Sequence, residues 1–422
     1  METLTVCINT YEYSDLLRLG MSLVSFFYRY SRRAMKGFED LRREYYKYIR
    51  NSPNVDKALQ VAEEFFIENV DFIQDEIQYD FLNKHIKFLL VVDGGSGKTH
   101  SAGDIFQIDC VKLFIQFCKR FGITNYFIIL AKKNYRIQVM RTVAFRNCTT
   151  DYMMFADDDD MQGMSVRDKF SLIREKTMKV DPRKTSVRIS FLNVILFPRQ
   201  DKIVEFEHEI SGSWSKVYSN RLCQFVYHIP SVSGGEDWIT NRRIIGMVIK
   251  PYEEKRNNFV ELILNVKPRC SYLWFPSLRN VNIGALQNKM SNLHAARNGF
   301  DFGISKNSTR FDNPDPPEVI QNNVRSRMEK GSSESQKDII YHEDEVVEVF
   351  FYDNAKGTVG GQNLFICPRL PISGIPPRNV RLEGGNVVVI DSTKRIPPWV
   401  RPTMSIDYWN SHLKKTPYNI MI

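Results

Sequence analysis

Tyr152-Met153-Met154-Phe155-Ala156-Asp157-Asp158-Asp159-Asp160 is the stretch from which the fold is read, because an apolar run passes directly into four carboxylates. A short apolar segment bounded by polar residues is a buried strand. Adjacent carboxylates at its end repel one another and resist desolvation unless something compensates them. A hard divalent cation is one such compensation. Side chains alternate along extended backbone, so Asp157 and Asp159 share a direction and are expected to hold Mn2+ or Mg2+ through oxygen. Asp158 and Asp160 then face elsewhere, toward ligand hydroxyls or a backbone cap. An acidic surface turn and a two-metal nuclease or polymerase site remain open as readings of the same run.

Outward from this run, strands are predicted at 4–8, 86–92 and 125–130, with helices over 112–121 and 136–147. Strand and helix alternate as in a mostly parallel sheet with helices on its faces, where ligands bind beyond the C-terminal strand ends. Asp93 and Asp157 both fall at such ends. Residues 14–49 read as helix, with Ser14 as N-cap and Asp15 beside it. Asn51-Ser52-Pro53 breaks that helix, and 55–82 resumes as an amphipathic one, so 18–85 forms a helical insertion. Further strands are expected at 187–191 and 194–197, and a helix over 239–249. Proline and polar residues near 313–317 and 331–337 mark a boundary. The expected division is a catalytic domain over 1–320 and a β-rich C-terminal extension over 321–422, with strands at 345–352 and 387–390.

The chain has 422 residues, 43% of them hydrophobic, which excludes a disordered class, and a formal net charge of +9, which favours polyanions or a diphosphate-bearing substrate. Part of that charge lies over 29–50, where Arg32, Arg33, Lys36, Arg42, Arg43 and Lys47 interleave with Phe38, Tyr45, Tyr46 and Tyr48. A solvated helix face and a contact with nucleic acid or an anionic surface are both open for this segment. Its seven cysteines show neither metal-ligand spacing nor a dense disulfide framework, which points to a reducing compartment. The opening residues lack the pattern of a secretory signal, and no run approaches the roughly 18 apolar residues of a membrane helix. The expectation is an intracellular protein, cytoplasmic or nuclear.

Gly94-Gly95-Ser96-Gly97-Lys98-Thr99 follows the strand at 86–92 like a phosphate loop, yet Val92 stands where the Walker pattern requires glycine. Three readings stay open: a true nucleotide triphosphatase loop, a solvated turn, and a turn closing a nucleotide-sugar pocket through Asp93. Arg146 and Asn147 precede the acidic strand, where a guanidinium can reach phosphate or pair with an aspartate. Gly234-Gly235-Glu236-Asp237 supplies a second carboxylate centre, suited to deprotonating an acceptor hydroxyl or to capping the helix that follows.

Taken in order, these elements resemble the GT-A fold glycosyltransferases, in particular the family-2-like group. Thr5-Val6-Cys7-Ile8-Asn9-Thr10-Tyr11-Glu12 is similar to that family's V-x-I-P-T-Y-N opening, and Val91-Val92-Asp93-Gly94-Gly95-Ser96 to its V-V-D-D-G-S turn. Phe145-Arg146-Asn147 with Asp157-Asp158-Asp159-Asp160 resembles its A-R-N segment and D-x-D site, and Gly234-Gly235-Glu236-Asp237-Trp238 its G-G-E-D element. Asn9, Glu12 and Gly94 depart from the pattern, and the interval from Tyr11 to Val91 is longer than usual.

The resemblance implies an α/β GT-A fold: a mixed, mostly parallel sheet with flanking helices, the helical insertion and the C-terminal β-rich extension. It further implies metal-dependent transfer of a sugar from a nucleotide-diphospho-sugar, UDP-linked, to an acceptor hydroxyl with inversion. Thr10, Tyr11, Asp93, Arg146, Asp157, Asp158 and Arg242 would bind the nucleotide sugar, with Asp157 and Asp159 holding the metal. Asp237 would be the general base and Glu236 would orient the acceptor. The other classes left open are a metal-dependent phosphoryl or nucleotidyl transferase acting on nucleic acid and a non-catalytic binding protein on the same scaffold.

Overall fold

The computed structural model describes residues 2–31, 38–49, 53–95, 97–135, 137–158, 160–192, 194–199, 202–206, 216–223, 259–264, 266, 269–275 and 346–365. Asp159, Glu236, Asp237 and Arg242, the expected helix over 239–249, the boundary near 313–337 and the strand at 387–390 lie outside them. Met1–Gln224, Val260–Phe275 and Val347–Leu364 form one compact unit, which carries the architecture that follows. A second unit, Phe225–Phe259, Pro276–Val346 and Phe365–Ile422, contributes only the strand-end residues Phe259, Val346 and Phe365 to the described set.

In chain order, β1 (Leu4–Tyr11) is followed by α1 (Leu16–Ser25), β2 (Tyr28–Tyr30), α2 (Phe38–Ile49), α3 (Val55–Glu68), β3 (Phe72–Gln74) and α4 (Tyr79–His85). Next come β4 (Ile86–Asp93), a 3-10 turn (Ala102–Phe106), α5 (Asp109–Arg120), β5 (Tyr126–Ala131), α6 (Ile137–Arg146) and β6 (Tyr152–Asp157). The chain continues through β7 (Asp160–Gln162), α7 (Val166–Thr177), β8 (Ser186–Phe191), β9 (Val194–Arg199), β10 (Lys202–Phe206), β11 (Lys216–Ser219) and α8 (Asn220–Cys223). β12 (Phe259–Leu264), β13 (Tyr272–Trp274), β14 (Val346–Asp353) and β15 (Thr358–Phe365) complete it.

A nine-stranded sheet runs β12-β8-β11-β6-β1-β4-β5-β14-β15. Its core is parallel: β1 pairs with β4 and with β6, and β4 with β5. β11 against β6 and β14 against β5 are antiparallel, so the sheet is mixed with a parallel centre, the expected α/β architecture. Pairing extends from β1 through β4 to β5 on one side, and the chain then returns to place β6 on the other side of β1. The order therefore reverses between β1 and β6. A second sheet, β10-β9-β13-β7, begins with β7 immediately after the acidic run.

Buried strands with both faces covered explain the continuous apolar runs. On β4, Phe88 meets the rings of Phe26 and Phe117, while its neighbour Lys87 turns to Thr149 and to the face of Phe127. Among the described residues, the insertion between β1 and β4 contains four helices and a small antiparallel ribbon of β2 and β3. The helix predicted through 14–49 is interrupted because Phe26, Phe27 and Tyr28 each have a separate aromatic partner: Phe88, Phe121 and Phe66. The chain leaves α1 through a turn at Phe26 and Phe27, with Phe26 still in the right-handed helical region, and becomes extended at Tyr28. The N-cap of α1 is Asp15, which accepts from the amides of Leu17 and Arg18 at 3.0 and 3.2 Å. Ser14, the expected cap, is engaged elsewhere. Gly20 lets α1 approach α3 closely, since a Cβ there would lie 3.2 Å from the Ala58 carbonyl oxygen.

Lys169 on α7 is buried in this core, at 2% exposure. Its amine donates to Gln162 Oε1 and lies 5.7 Å from the centroid of Phe191. Burial pushes its pKa down to about 7 from 10.5, with Cys270 and Asp160 opposing the shift. Between those values the unfolded chain binds more protons than the folded one, so this group makes stability rise with pH across that window. Lys169→Met is expected to stabilise the fold at pH 7 by about 1–2 kcal/mol. The advantage should shrink toward pH 9.5, read from urea unfolding midpoints of both proteins; an advantage independent of pH would contradict this account of the buried amine.

Candidate functional site

At the reversal between β1 and β6, Asn9 sits opposite Asp157 on one side and Val91 on the other, and Tyr11 opposite Asp93. Two strand spacings and two residues of rise separate Asp93 from Asp157, about 12 Å between Cα atoms. Thr10, Tyr11, Asp93, Asp157 and Asp158 thus share one edge of the parallel core. Crevices at such a reversal are where open α/β sheets bind ligands.

The acidic run is divided among three environments. Asp157 ends β6 and receives Arg141 of α6 through one guanidinium nitrogen, at 2.7 and 2.8 Å to its two carboxylate oxygens. Arg141 is 2% exposed and the Asp157 side chain 18%. Asp158 turns to the β1–α1 connection: Thr10 Oγ1 donates to its Oδ2 at 2.8 Å, and Ser14 Oγ donates to the same oxygen. Ser14 in turn accepts the Tyr11 amide at 3.0 Å. Burial holds the Asp158 carboxyl above its ordinary pKa; the Ser14 and Thr10 hydroxyls oppose that shift and Asp157 adds to it. Asp160 opens β7, opposite Trp274 of β13, and is buried. Ser22 of α1 ties the strand end from behind by donating to the Asp157 carbonyl at 2.9 Å.

On the neighbouring strand, Asp93 is buried, and its Oδ1 accepts the Tyr135 amide at 2.8 Å. The turn after it is packed tightly. A Cβ on Gly94 would lie 2.8 Å from the Lys133 carbonyl carbon, and one on Gly95 would overlap Glu12 Oε2. Gly97 has φ 75°, the left-handed region that favours glycine. The Lys98 amine lies 3.5 Å from Glu12 and 5.0 Å from the Tyr13 ring centroid, so it faces protein groups.

Arg146 donates to the Cys223 carbonyl at 2.7 Å, and the guanidinium beside the acidic run is Arg141. Sequence reading passed over Arg141, although an arginine within Val139-Met140-Arg141-Thr142-Val143-Ala144-Phe145 carries a signal: a charge in an apolar helix needs a buried counter-ion. Ser14 and Ser22 carried no comparable signal, because their role depends on how α1 is placed. In the basic segment, Arg43 and Lys47 of α2 pair with Asp40 and Glu44 of the same helix.

Asp157 and Asp158 provide oxygen donors of the type suited to a hard divalent cation. Among the described residues no group of three or more His, Cys, Asp or Glu side chains could hold a metal ion. Nor is any helix among them long and apolar enough to cross a membrane.

No protein-family model and no curated protein matches the chain. Among solved structures it is similar to S. aureus TarS, at 10% identity and TM-score 0.36, over 85% of this chain and 60% of that one. It is also similar to S. aureus TarS 1–349 in complex with UDP-GlcNAc, at 10% identity and TM-score 0.35, over 78% of this chain and 81% of that one. A third is the mannosyltransferase PcManGT from Pyrobaculum calidifontis in complex with GDP-Man and Mn2+, at 8% identity and TM-score 0.34, over 78% and 84%. Scores this low fix neither family nor activity, and the fold assignment rests on strand order and register.

Removing the guanidinium takes a buried cation away from a largely buried carboxylate. Arg141→Met is expected to lower the unfolding free energy by about 2–3 kcal/mol, below the range for fully buried pairs because Asp157 is partly exposed. Combining it with Asp157→Asn should recover much of the loss. Strictly additive single and double mutants in a denaturation cycle would show that the pair is not coupled.

Proposed function

We propose that the chain is a metal-dependent glycosyltransferase that binds a nucleotide-diphospho-sugar, UDP-linked, across the β1–β6 reversal and passes the sugar to an acceptor hydroxyl. The observation that carries this reading is the Thr10–Asp158 hydrogen bond spanning the reversal, beside Asp157 and one strand from Asp93. Residues from three separate motifs, which this reading assigns to the donor, share that edge of the sheet. The resemblance of those motifs to the GT-A family supplies the chemistry.

In this reading Thr10, Tyr11 and Asp93 contact the nucleoside, and Asp157 with Asp159 holds Mn2+ or Mg2+, which supplies charge neutralisation for the departing diphosphate. Asp158, fixed by Thr10 and Ser14, faces the donor with its remaining acceptor capacity. Arg146 serves the diphosphate, and Arg242 serves it or holds the acidic turn. The acceptor O–H gives its proton to Asp237 as its oxygen bonds to the anomeric carbon. The bond from that carbon to the diphosphate oxygen breaks on the opposite side, inverting the configuration. Glu236 orients the acceptor. Positioning and charge stabilisation supply the rate, without a covalent nucleophile.

Isothermal titration of nucleoside diphosphates and nucleotide sugars with and without Mn2+ tests the donor site. Wild type is expected to bind in a Mn2+-dependent manner, and Asp159→Asn to bind at least about tenfold more weakly. Asp237→Asn should bind the donor within about twofold of wild type yet transfer about 100-fold to 10,000-fold more slowly. Equal binding by wild type and Asp159→Asn would remove the metal site, and undiminished transfer by Asp237→Asn would remove the assigned base.

A further inference from the structure

The turn after β4 is shaped by a carboxylate that the family pattern does not contain. Glu12, where the family has asparagine, lies between the end of β1 and that turn. Its amide donates to the Asp93 carbonyl at 3.1 Å, and its carboxylate meets His100 Nε2 at 3.2 Å and Lys98 Nζ at 3.5 Å. The Glu12 side chain is 11% exposed and that of His100 is 7% exposed, so this contact is withdrawn from solvent. The carboxylate also lies against Gly95, where any Cβ would overlap Oε2, and the Tyr13 ring closes the same space at 2.9 Å. From the other side, His100 donates its amide to the Lys132 carbonyl at 2.6 Å, and its ring borders Gly94. Asp104 lies 3.8 Å from His100 Nδ1. One carboxylate therefore links the exit of β1 to both ends of the turn that begins with Asp93.

We propose that Glu12 is a positioning residue for nucleotide binding: by gripping Lys98 and His100 while packing on Gly95, it sets the shape of the turn that contacts the nucleoside. The inference rests on the nucleotide-sugar reading. It goes beyond that reading by giving the turn's conformation to a side chain that makes no contact with the ligand itself. The turn should be ordered before ligand arrives, and loss of the clamp should weaken binding through the nucleoside rather than the phosphates, because Asp93 and not Asp157 adjoins the turn.

Amide hydrogen exchange of the free protein and titration with UMP and UDP in the presence of Mn2+ test this together. Glu12→Ala should speed exchange at Gly94, Gly95 and His100 and weaken UMP and UDP by the same factor, about tenfold. Glu12→Gln keeps an oxygen acceptor and should restore most of both. Gly95→Ala retains the carboxylate but takes its place on the turn, and should reproduce the effect of Glu12→Ala if that variant proves too unstable to measure. Unchanged exchange and affinity in Glu12→Ala, with wild type binding normally, would overturn the positioning role alone. A loss that grows from UMP to UDP would overturn it too, since Glu12 would then act as a charge on the phosphates. If wild type binds neither nucleotide, the nucleotide reading falls and the positioning role with it, and the exchange data then show whether the clamp exists for another purpose.

Discussion

Four carboxylates in succession at the end of a buried strand cannot share one low-dielectric space, and the chain relieves them by sending the described ones in different directions. Asp157 is neutralised by Arg141 from α6, Asp158 is solvated by the hydroxyls of Thr10 and Ser14, and Asp160 leaves with β7 for the second sheet. Each solution fixes a different element. The buried guanidinium, at 2% exposure, ties α6 to the end of β6 through Asp157. The hydroxyl pair fixes the β1–α1 connection to the end of β6. The exit of Asp160 sets where the parallel sheet stops and the smaller one begins.

This division gives the insertion a role at the sheet edge. α1 belongs to the long excursion between β1 and β4, yet Ser22 supports the Asp157 carbonyl and Ser25 Oγ accepts the Gln162 amide of β7 at 2.9 Å. Helix α1 is thus the splint across the acidic run, braced on both strands that flank it. Its close approach to α3 at Gly20 and the aromatic set around Phe26, Phe27 and Tyr28 hold that splint to the rest of the insertion. An excursion of this length is therefore part of what positions the candidate site.

The parallel core was legible because its signals are local: β4, β5 and β6 are apolar runs ending in polar turns, and the helices between them are amphipathic or apolar along their length. Asp93 and Asp157 could be placed at one edge from alternation alone. The interruption of the helix after Ser25 was not legible, since Phe26-Phe27-Tyr28 has no breaker residue and the turn there is supported by tertiary ring contacts. The exchange of roles between Ser14 and Asp15 was hidden for a related reason. Both are good N-caps, and the choice is made by Asp158, well over a hundred residues away in sequence. Arg146 looked like the partner of the acidic run by proximity in sequence, whereas the helix directs Arg141, more than a turn earlier, toward Asp157.

Glu12 and Gly94 are linked through the turn after β4. An aspartate in place of Gly94 would bring its Cβ within 2.8 Å of the Lys133 backbone, so the present path of the β5 exit requires glycine there. That same path brings the Lys132 carbonyl to the His100 amide, which places the imidazole where a longer acid at position 12 can meet it. Asparagine at that position would be one methylene shorter and uncharged, and would take the carboxylate away from His100 Nε2 and from Lys98. Glutamate at 12, glycine at 94 and 95, and histidine at 100 thus form a mutually consistent set.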